Sequence, residues 1–373
     1  MSAYNFSNLD HHLMSIALKL ASKGQFTTTP NPNVGCVIAN QNGDVLGQGW
    51  HHKAGTPHAE VHALKQAGDK ALGATAYVTL EPCSHFGKTP PCADALIHAG
   101  VKRVVAAMVD PNPKVAGSGL KRLSEQGIDV SHGLMTEQAE LLNRGFIKRM
   151  KYNRPWLTVK LAASLDGKTA LANGHSQWIT GAAARSDVQE HRARSCAILS
   201  GSGTVLADNP SLNVRYNELS HAKTWITESE LRQPLRIILD GKNQLTDNLK
   251  MFDLDGRNLI INRKHNPSIR ASVEQVQINS LGNKLDLQAM LQILSERQLN
   301  EVWVEAGGRL AGALVQQDLV DELILYQAPK LLGDKGQNLF VMDELTQMNQ
   351  AKMLRWSTVR MVGDDLKMVA HFK

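Results

Sequence analysis

Three metal-donor side chains set beside one carboxylic acid constrain this chain more than anything else in it. His58 stands in Pro57-His58-Ala59-Glu60, Cys83 in Glu81-Pro82-Cys83, and Cys92 follows after a spacer of eight residues, Ser84 to Pro91. One imidazole and two thiolates form a borderline-soft donor set that suits Zn²⁺. Three protein ligands leave a fourth position open, as in catalytic sites, whereas structural sites usually have four protein ligands. Water held by such a metal ionises near neutrality and becomes a nucleophile. Glu60, two residues past His58, is placed to move protons and not to bind the metal. A structural zinc site is the competing reading, but His58-Ala59-Glu60 offers no obvious fourth ligand.

The chain has 373 residues, enough for two domains of about 100–200 residues each. With 42% hydrophobic and 20% charged residues its composition is that of a globular protein. No apolar run approaches the ~18 residues of a membrane span, and Met1 to Asn5 lack the basic and apolar regions of a signal peptide. Four cysteines in this length argue against a disulfide scaffold. Cys36 and Cys196 sit in apolar surroundings and read as buried free thiols. These features predict a protein of the reducing cytoplasm. The net charge is +6 and the pI about 9.1. Lys and Arg are dispersed and aromatics make up 5%, so the clustered basic and stacking residues of a nucleic-acid groove are missing. A mildly basic enzyme acting on an anionic small molecule is the better expectation.

Along the first half, Leu13, Ile16, Ala17 and Leu20 recur at helical spacing and predict a helix over 8–23, capped by Asn8 or Asp10. Thr29-Pro30-Asn31-Pro32-Asn33 is a rigid loop. A buried strand at Val34 to Ala39, a turn at Asn42-Gly43-Asp44 and a returning strand at Val45 to Trp50 form a hairpin. Helices are expected at His58 to Ala67, Cys92 to Ala99, Gly117 to Gly127 and Glu137 to Tyr152. Strands are expected at Ala76 to Leu80, Val104 to Val109 and Ile128 to Val130. His58 and Glu60 then lie in the first turn of one helix and Cys92 at the start of another, where helix N-termini favour anionic species. The domain boundary falls at Asn153-Arg154-Pro155, giving domains 1–152 and 153–373. Among the other histidines of this half, His51 and His85 are the ones that could face the pocket.

The H-x-E and P-C elements are the signature of the zinc deaminases, although two residues separate the cysteines there. A longer match is more specific. Thr29 to Val37, His58-Ala59-Glu60-Val61-His62-Ala63, and Thr79-Leu80-Glu81-Pro82-Cys83-Ser84-His85-Phe86-Gly87-Lys88-Thr89-Pro90-Pro91-Cys92 resemble the riboflavin-pathway pyrimidine deaminase. The whole chain resembles the bifunctional bacterial riboflavin biosynthesis deaminase/reductase family, whose own spacer is the long one seen here. Lys88 and Thr89 in that spacer are candidates to meet a substrate phosphate.

The second half begins with a predicted strand, Trp156 to Ala162. Further buried strands are expected at Ala197 to Ser200, Leu235 to Leu239, Leu259 to Ile261, Glu301 to Glu305 and Glu322 to Tyr326, and a last hairpin around Gly363-Asp364-Asp365. Helices between several of them predict a mixed sheet with crossovers. No G-x-G-x-x-G follows the first strand, so a standard Rossmann site is not supported. Glu305-Ala306-Gly307-Gly308-Arg309-Leu310-Ala311-Gly312 follows a strand and opens a helix. Paired glycines would let main chain approach a phosphate at a helix N-terminus, and Arg309 would add charge. An ordinary strand–helix turn is the alternative. Val159 to Lys168, Ser176-Gln177-Trp178-Ile179-Thr180 and Thr204 to Pro210 are similar to the reductase half of the same family. His175 departs from the acidic residue often found there, and 218–233 matches nothing informative.

The resemblance implies an N-terminal cytidine-deaminase-like three-layer α/β/α domain and a C-terminal dihydrofolate-reductase-like α/β domain. It implies zinc held by His58, Cys83 and Cys92, with Glu60 as the proton shuttle in hydrolytic deamination of 2,5-diamino-6-(5-phosphoribosylamino)pyrimidin-4-one. Asn33 and its loop would read the base. NADPH-dependent reduction of the ribosyl group to ribityl would follow in the second domain. There Ala162, Trp178, Thr204, Asp208 and the turn Gly307, Gly308, Arg309, Leu310, Ala311, Gly312 and Ala313 would line the cofactor. Ser176, Arg192, Leu212, Arg215 and Glu305 would line the substrate, the arginines offering planar forks to its phosphate. Lys160 and Asp208 are the polar groups expected at the chemical step. A homodimer through the reductase domain, a small phosphorylated pyrimidine as substrate, and no nucleic-acid or membrane partner complete the expectation. Two rivals predict different outcomes: a nucleoside or tRNA deaminase with an accessory domain would not oxidise NADPH, and a zinc-stabilised binding module would tolerate Glu60→Gln.

Overall fold

The computed structural model describes residues 4–84, 90–113, 115–282 and 284–373. The chain divides into two compact units, Met1–Asn153 and Arg154–Lys373. In the first, α1 (Asn8–Ser22), β1 (Gly35–Ala39), β2 (Val45–Trp50), α2 (Ala59–Ala67), β3 (Thr75–Val78) and α3 (Cys92–His98) come first. β4 (Arg103–Ala106), α4 (Ser118–Glu125), β5 (Asp129–His132), α5 (Thr136–Leu142) and α6 (Arg144–Tyr152) follow. Among the described residues the sheet order is β2-β1-β3-β4-β5, with β1 antiparallel to both its neighbours and β3, β4 and β5 parallel.

Alternation along the strands divides the side chains between two faces. Cys36, Ile38, Ala76, Val78, Val104 and Ala106 pack with Ala59 and Ala63 of α2, Leu96 of α3 and Leu123 of α4. Val37, Ala39, Tyr77 and Val105 pack with Leu13, Met14 and Ala17 of α1 and with Ala139. The result is the expected three-layer α/β/α unit. Two glycines of β2 set how closely α2 approaches the sheet: a Cβ on Gly47 would lie 2.1 Å from the Ala63 carbonyl, and one on Gly49 2.6 Å from that of Ala59. The helix that begins beside His58 thus rides directly on the strand backbone.

Two local expectations are corrected. Ser7, not Asn8 or Asp10, caps α1: its Oγ accepts from the Asp10 amide at 3.1 Å while Asp10 accepts from the Ser7 amide at 2.9 Å. The helix predicted over Glu137 to Tyr152 is two helices broken at Asn143. That buried amide accepts from the Asn33 N–H at 2.7 Å and donates to the Asn33 carbonyl at 3.0 Å. A long-range pairing with the Pro-rich loop therefore takes precedence over local helical continuity.

The second unit contains β6 (Trp156–Ser164), β7 (Lys168–Ala170), α7 (Ala182–Arg194), β8 (Ala197–Gly201), α8 (Ser202–Asp208), β9 (Leu235–Asp240), β10 (Asn258–Asn262) and β11 (Glu274–Gln277). A short ribbon of β12 (Ser280–Leu281) and β13 (Lys284–Leu285) precedes α9 (Leu287–Glu296), β14 (Glu301–Glu305), α10 (Gly308–Gln316) and β15 (Glu322–Ala328). β16 (Gln337–Asn338), β17 (Leu354–Val362) and β18 (Asp365–Phe372) close the chain. Among the described residues one large sheet runs β11-β10-β9-β8-β14-β6-β15-β18-β17. It is parallel from β11 to β15, and the β17–β18 hairpin, turning at Gly363-Asp364, is antiparallel. Leu157, Val159, Leu199, Ile237, Val302 and Val304 face α9 and α10. Ile198, Ile238, Trp303, Ile324 and Tyr326 face Ala184 and Val188 of α7. The uninformative 218–233 stretch holds short 3₁₀ turns, pinned where the Glu190 carboxylate accepts from the Ser220 amide at 2.7 Å.

Candidate active sites

In the first unit three elements converge. His58 is the N-cap of α2, Cys83 lies in the chain after β3, and Cys92 opens α3. The His58 Nδ1 is 3.3 Å from the Cys92 Sγ and 3.7 Å from that of Cys83, and the three ligand atoms lie within 4.8 Å of one another. This soft sulfur–nitrogen set fits a zinc ion. The hydrogen bond between the two thiols holds Cys83 down to about 4 and pushes Cys92 up. The interaction with Cys83 also raises the His58 imidazole.

Glu60 is 3% exposed and its Oε2 has no partner among the described residues. Burial raises its carboxyl to about 7. A buried carboxyl oxygen left open beside three metal donors suits a group that takes a proton from water and passes it on.

The structure separates the neighbouring residues by role. His51 is buried, with Nε2 3.0 Å from the Asn31 amide nitrogen and Nδ1 3.2 Å from the Pro57 carbonyl oxygen, and burial lowers it to about 4. It is a neutral strut beside the His58 ring. Asn33, expected to read the base, has its side chain engaged: its Oδ1 accepts from Thr28 Oγ1 at 2.8 Å and its Nδ2 donates to the Leu142 carbonyl at 3.1 Å. It shapes the loop. His85, Lys88 and Thr89 lie outside the described residues.

In the second unit the polar residues gather at the C-terminal ends of the parallel strands, where open α/β sheets bind ligands. Lys160 and Glu305 are register partners on β6 and β14. Arg192 of α7 grips Glu305 with two bonds, Nε to Oε1 at 2.6 Å and Nη2 to Oε2 at 2.8 Å, and Trp303 Nε1 donates to the same Oε1 at 2.8 Å. Burial opposes ionisation of Glu305, but the guanidinium prevails and holds it at about 2. Burial lowers the Lys160 ammonium. Ala162 lies two residues along β6 from Lys160, on the same face.

The Arg192 Nη1 also donates to the Asn213 carbonyl at 2.9 Å, so each of its three nitrogens has a hydrogen bond within the protein. Arg215 is exposed and pairs with Glu218. The Leu212 side chain is 2% exposed in the core, and with φ +45 the residue has its main chain to offer a ligand. Ser176 is partly exposed near Trp178, whose indole is 64% exposed with the Arg185 guanidinium 4.5 Å above it.

The turn into α10 divides its glycines. A Cβ on Gly308 would meet the Asn338 carbonyl at 2.7 Å and one on Gly312 that of Val341 at 2.1 Å, so both make room for the 338–341 segment and not for a phosphate. A Cβ on Gly307 would meet Thr204 Oγ1 at an ordinary 3.7 Å, and the Gly307 N–H donates to that hydroxyl at 3.1 Å. The amides of Gly308 and Arg309 have no acceptor among the described residues, and the Arg309 side chain is exposed. Leu310 and Ala313 are half-buried and Ala311 is buried. Asp208 is exposed at the end of α8, one turn beyond Thr204. The open amides of Gly308 and Arg309 at a helix N-terminus fit a phosphorylated cofactor.

Sequence reasoning missed the indole of Trp303 as a partner of Glu305, and Glu81 as more than a motif residue. Trp303 had a signal, since it alternates with the core residues of its strand to share a face with Glu305.

Fold and donor set together define a zinc-binding deaminase unit joined in one chain to a dihydrofolate-reductase-like unit. The profile of the cytidine and deoxycytidylate deaminase zinc-binding region matches residues 7–108, and that of the RibD C-terminal domain matches 155–367. The riboflavin biosynthesis protein RibD of Escherichia coli is 52% identical over 96% of this chain and 98% of its own, and that of Haemophilus influenzae 49% identical over 97% of each. The structure of Acinetobacter baumannii RibD superposes with a TM-score of 0.91 at 42% identity, covering 98% of this chain and 99% of that one. A Thermotoga maritima diaminohydroxyphosphoribosylaminopyrimidine deaminase/5-amino-6-(5-phosphoribosylamino)uracil reductase gives 0.87 at 32% identity and the same coverage. The chain belongs to the RibD family of riboflavin biosynthesis proteins.

Proposed function

We propose that the protein catalyses two steps of riboflavin biosynthesis in sequence. The first is hydrolytic deamination of 2,5-diamino-6-(5-phosphoribosylamino)pyrimidin-4-one. The second is NADPH-dependent reduction of 5-amino-6-(5-phosphoribosylamino)uracil to its ribityl form. The observation that carries the reading is the buried Glu60 beside the His58, Cys83 and Cys92 donors, in a chain that matches the Thermotoga deaminase/reductase along its full length.

His58, Cys83 and Cys92 would hold a zinc ion, which would supply a water that ionises near neutrality. Glu60 would take the proton of such a water as its oxygen adds to the ring carbon bearing the 2-amino group. It would pass that proton to the ring nitrogen, then take the remaining proton of the added hydroxyl and deliver it to the amino group, which leaves as ammonia as the C–N bond breaks and the carbonyl forms. In the second unit NADPH supplies the hydride. The open amides of Gly308 and Arg309 would bind its phosphate, Thr204 fixes that turn by accepting from the Gly307 N–H, and Ala162, Trp178 and Asp208 would line the rest. Glu305 and Lys160 address the sugar, with Lys160 and Asp208 as the groups to test for proton transfer. Arg192 positions Glu305, while exposed Arg215, the Leu212 main chain and Ser176 meet the substrate.

The nine-residue edge strand β17, exposed from Arg355 to Met361 and carrying Trp356, Val359 and Met361, favours a homodimer formed through the second unit. No helix among the described residues is long and apolar enough to cross a membrane. Four free cysteines accord with a reducing cytoplasm.

The test follows ammonia release and NADPH absorbance separately. Glu60→Gln should keep its zinc and lose deamination, while reducing already deaminated substrate at the wild-type rate. A variant that still releases ammonia removes Glu60 from this role.

A further inference from the structure

We propose that Glu81 is a positioning residue of the zinc site. Its carboxylate clamps Asp110 and the start of α4 to the Pro82-Cys83 turn, and so fixes where Cys83 presents its sulfur. This rests on the reading of His58, Cys83 and Cys92 as zinc ligands.

Glu81 stands two residues before Cys83 and is 4% exposed. Its Oε1 accepts from the amides of Gly119 at 2.8 Å and Leu120 at 3.4 Å. Its Oε2 accepts from those of Gly117 at 2.9 Å and Asp110 at 3.0 Å. A carboxylate taken from water needs donors in compensation, and this one finds four in main chain. Three belong to the N-cap and first turn of α4, where amides lack helical partners and negative charge is favoured. Gly117 reaches its place with φ +80, a conformation that favours glycine.

Two further contacts lie along the same seam. A Cβ on Gly119 would sit 1.9 Å from the Pro82 carbonyl, so α4 begins in direct contact with the turn. Beyond Cys83, the hydroxyls of Ser84 and Ser118 are 2.7 Å apart. The residues before and after Cys83 are thus both fastened to α4. On the other side the Cys92 amide donates to the Cys83 sulfur at 3.3 Å. Cys83 has little freedom left, which is what a metal ligand in a chain segment without regular structure requires. Replacing Glu81 by Gln turns one oxygen acceptor into a donor facing N–H groups, and the seam loosens.

The test compares full-length wild type, Glu81→Gln and Ser118→Ala, each loaded with zinc or with cobalt(II). Glu81→Gln should bind zinc roughly 10–100-fold more weakly in chelator competition, as loss of an outer support to a metal ligand does. Its cobalt–thiolate absorption bands should shift, and kcat for deamination should fall while KM holds. Reduction of deaminated substrate at the wild-type rate shows that the chain is otherwise folded. Ser118→Ala should move the same readouts in the same direction by a smaller factor, and it serves if Glu81→Gln does not accumulate. Cobalt bands and zinc affinity identical to wild type, in folded Glu81→Gln or else in Ser118→Ala, overturn the proposal. Wild type that takes up neither metal overturns the zinc reading itself.

Discussion

Buried Glu60 and half-buried Glu305 are two carboxyl groups driven in opposite directions by what stands beside them. Arg192 keeps Glu305 ionised, while the apolar floor of the zinc site works against ionisation of Glu60. The Glu305 carboxyl, at about 2 against an ordinary 4.5, is depressed by folding. Its contribution to stability is therefore present above the ordinary value and lost as pH falls through the folded one. Acid unfolding of the second unit, followed by tryptophan fluorescence, should steepen in that window, and Glu305→Gln should flatten it. Parallel curves for the two proteins would remove the pair from the stability of the unit. Arg192→Met leaves the carboxylate buried without its partner, and denaturant titration should show a loss of about 3–5 kcal/mol. Glu60 was legible from its spacing to His58. The pairing of Arg192 with Glu305 was not, because the two residues are far apart in sequence and only strand register and the α7 packing bring them together.

Helix α10 shows how one motif serves two purposes. Its glycines read alike in sequence, yet the chain segment 338–341 lies against Gly308 and Gly312 and leaves Gly307 clear. Gly312→Ala gains up to about 1 kcal/mol of helix propensity. The clash with the Val341 carbonyl outweighs it, so the second unit should lose ~1–3 kcal/mol, as overpacked sites do. Gly307→Ala fits its surroundings and should leave stability unchanged while weakening NADPH binding, measured by fluorescence titration. Equal effects of both substitutions on stability would show that the division is wrong. The break at Asn143 has the same origin. Helical periodicity continues through it, and the pairing that interrupts the helix comes from the distant Asn33.

Across the whole molecule each unit has its own sheet and its own cores. The zinc donors belong entirely to the first unit and the Glu305 cluster to the second. Chelation of zinc should abolish ammonia release and leave NADPH oxidation with deaminated substrate at its full rate. A parallel loss of both activities would show that the second unit depends on the metal. The sequence by itself determined the His/Cys/Cys donor set, the acidic residue beside it and the two α/β units. Each of these rests on residue type at short spacing or on periodicity within a single element. Tertiary structure decided which arginine is buried against Glu305 and which stays exposed, which glycine is open to a ligand, why the helix breaks at Asn143, and what braces Cys83. Those properties depend on which distant main-chain groups come to rest against a side chain, and local sequence carries no trace of them. The stretch around His58, Glu60, Cys83 and Cys92 names the chemistry, and the four amides around Glu81 hold one of its ligands in place.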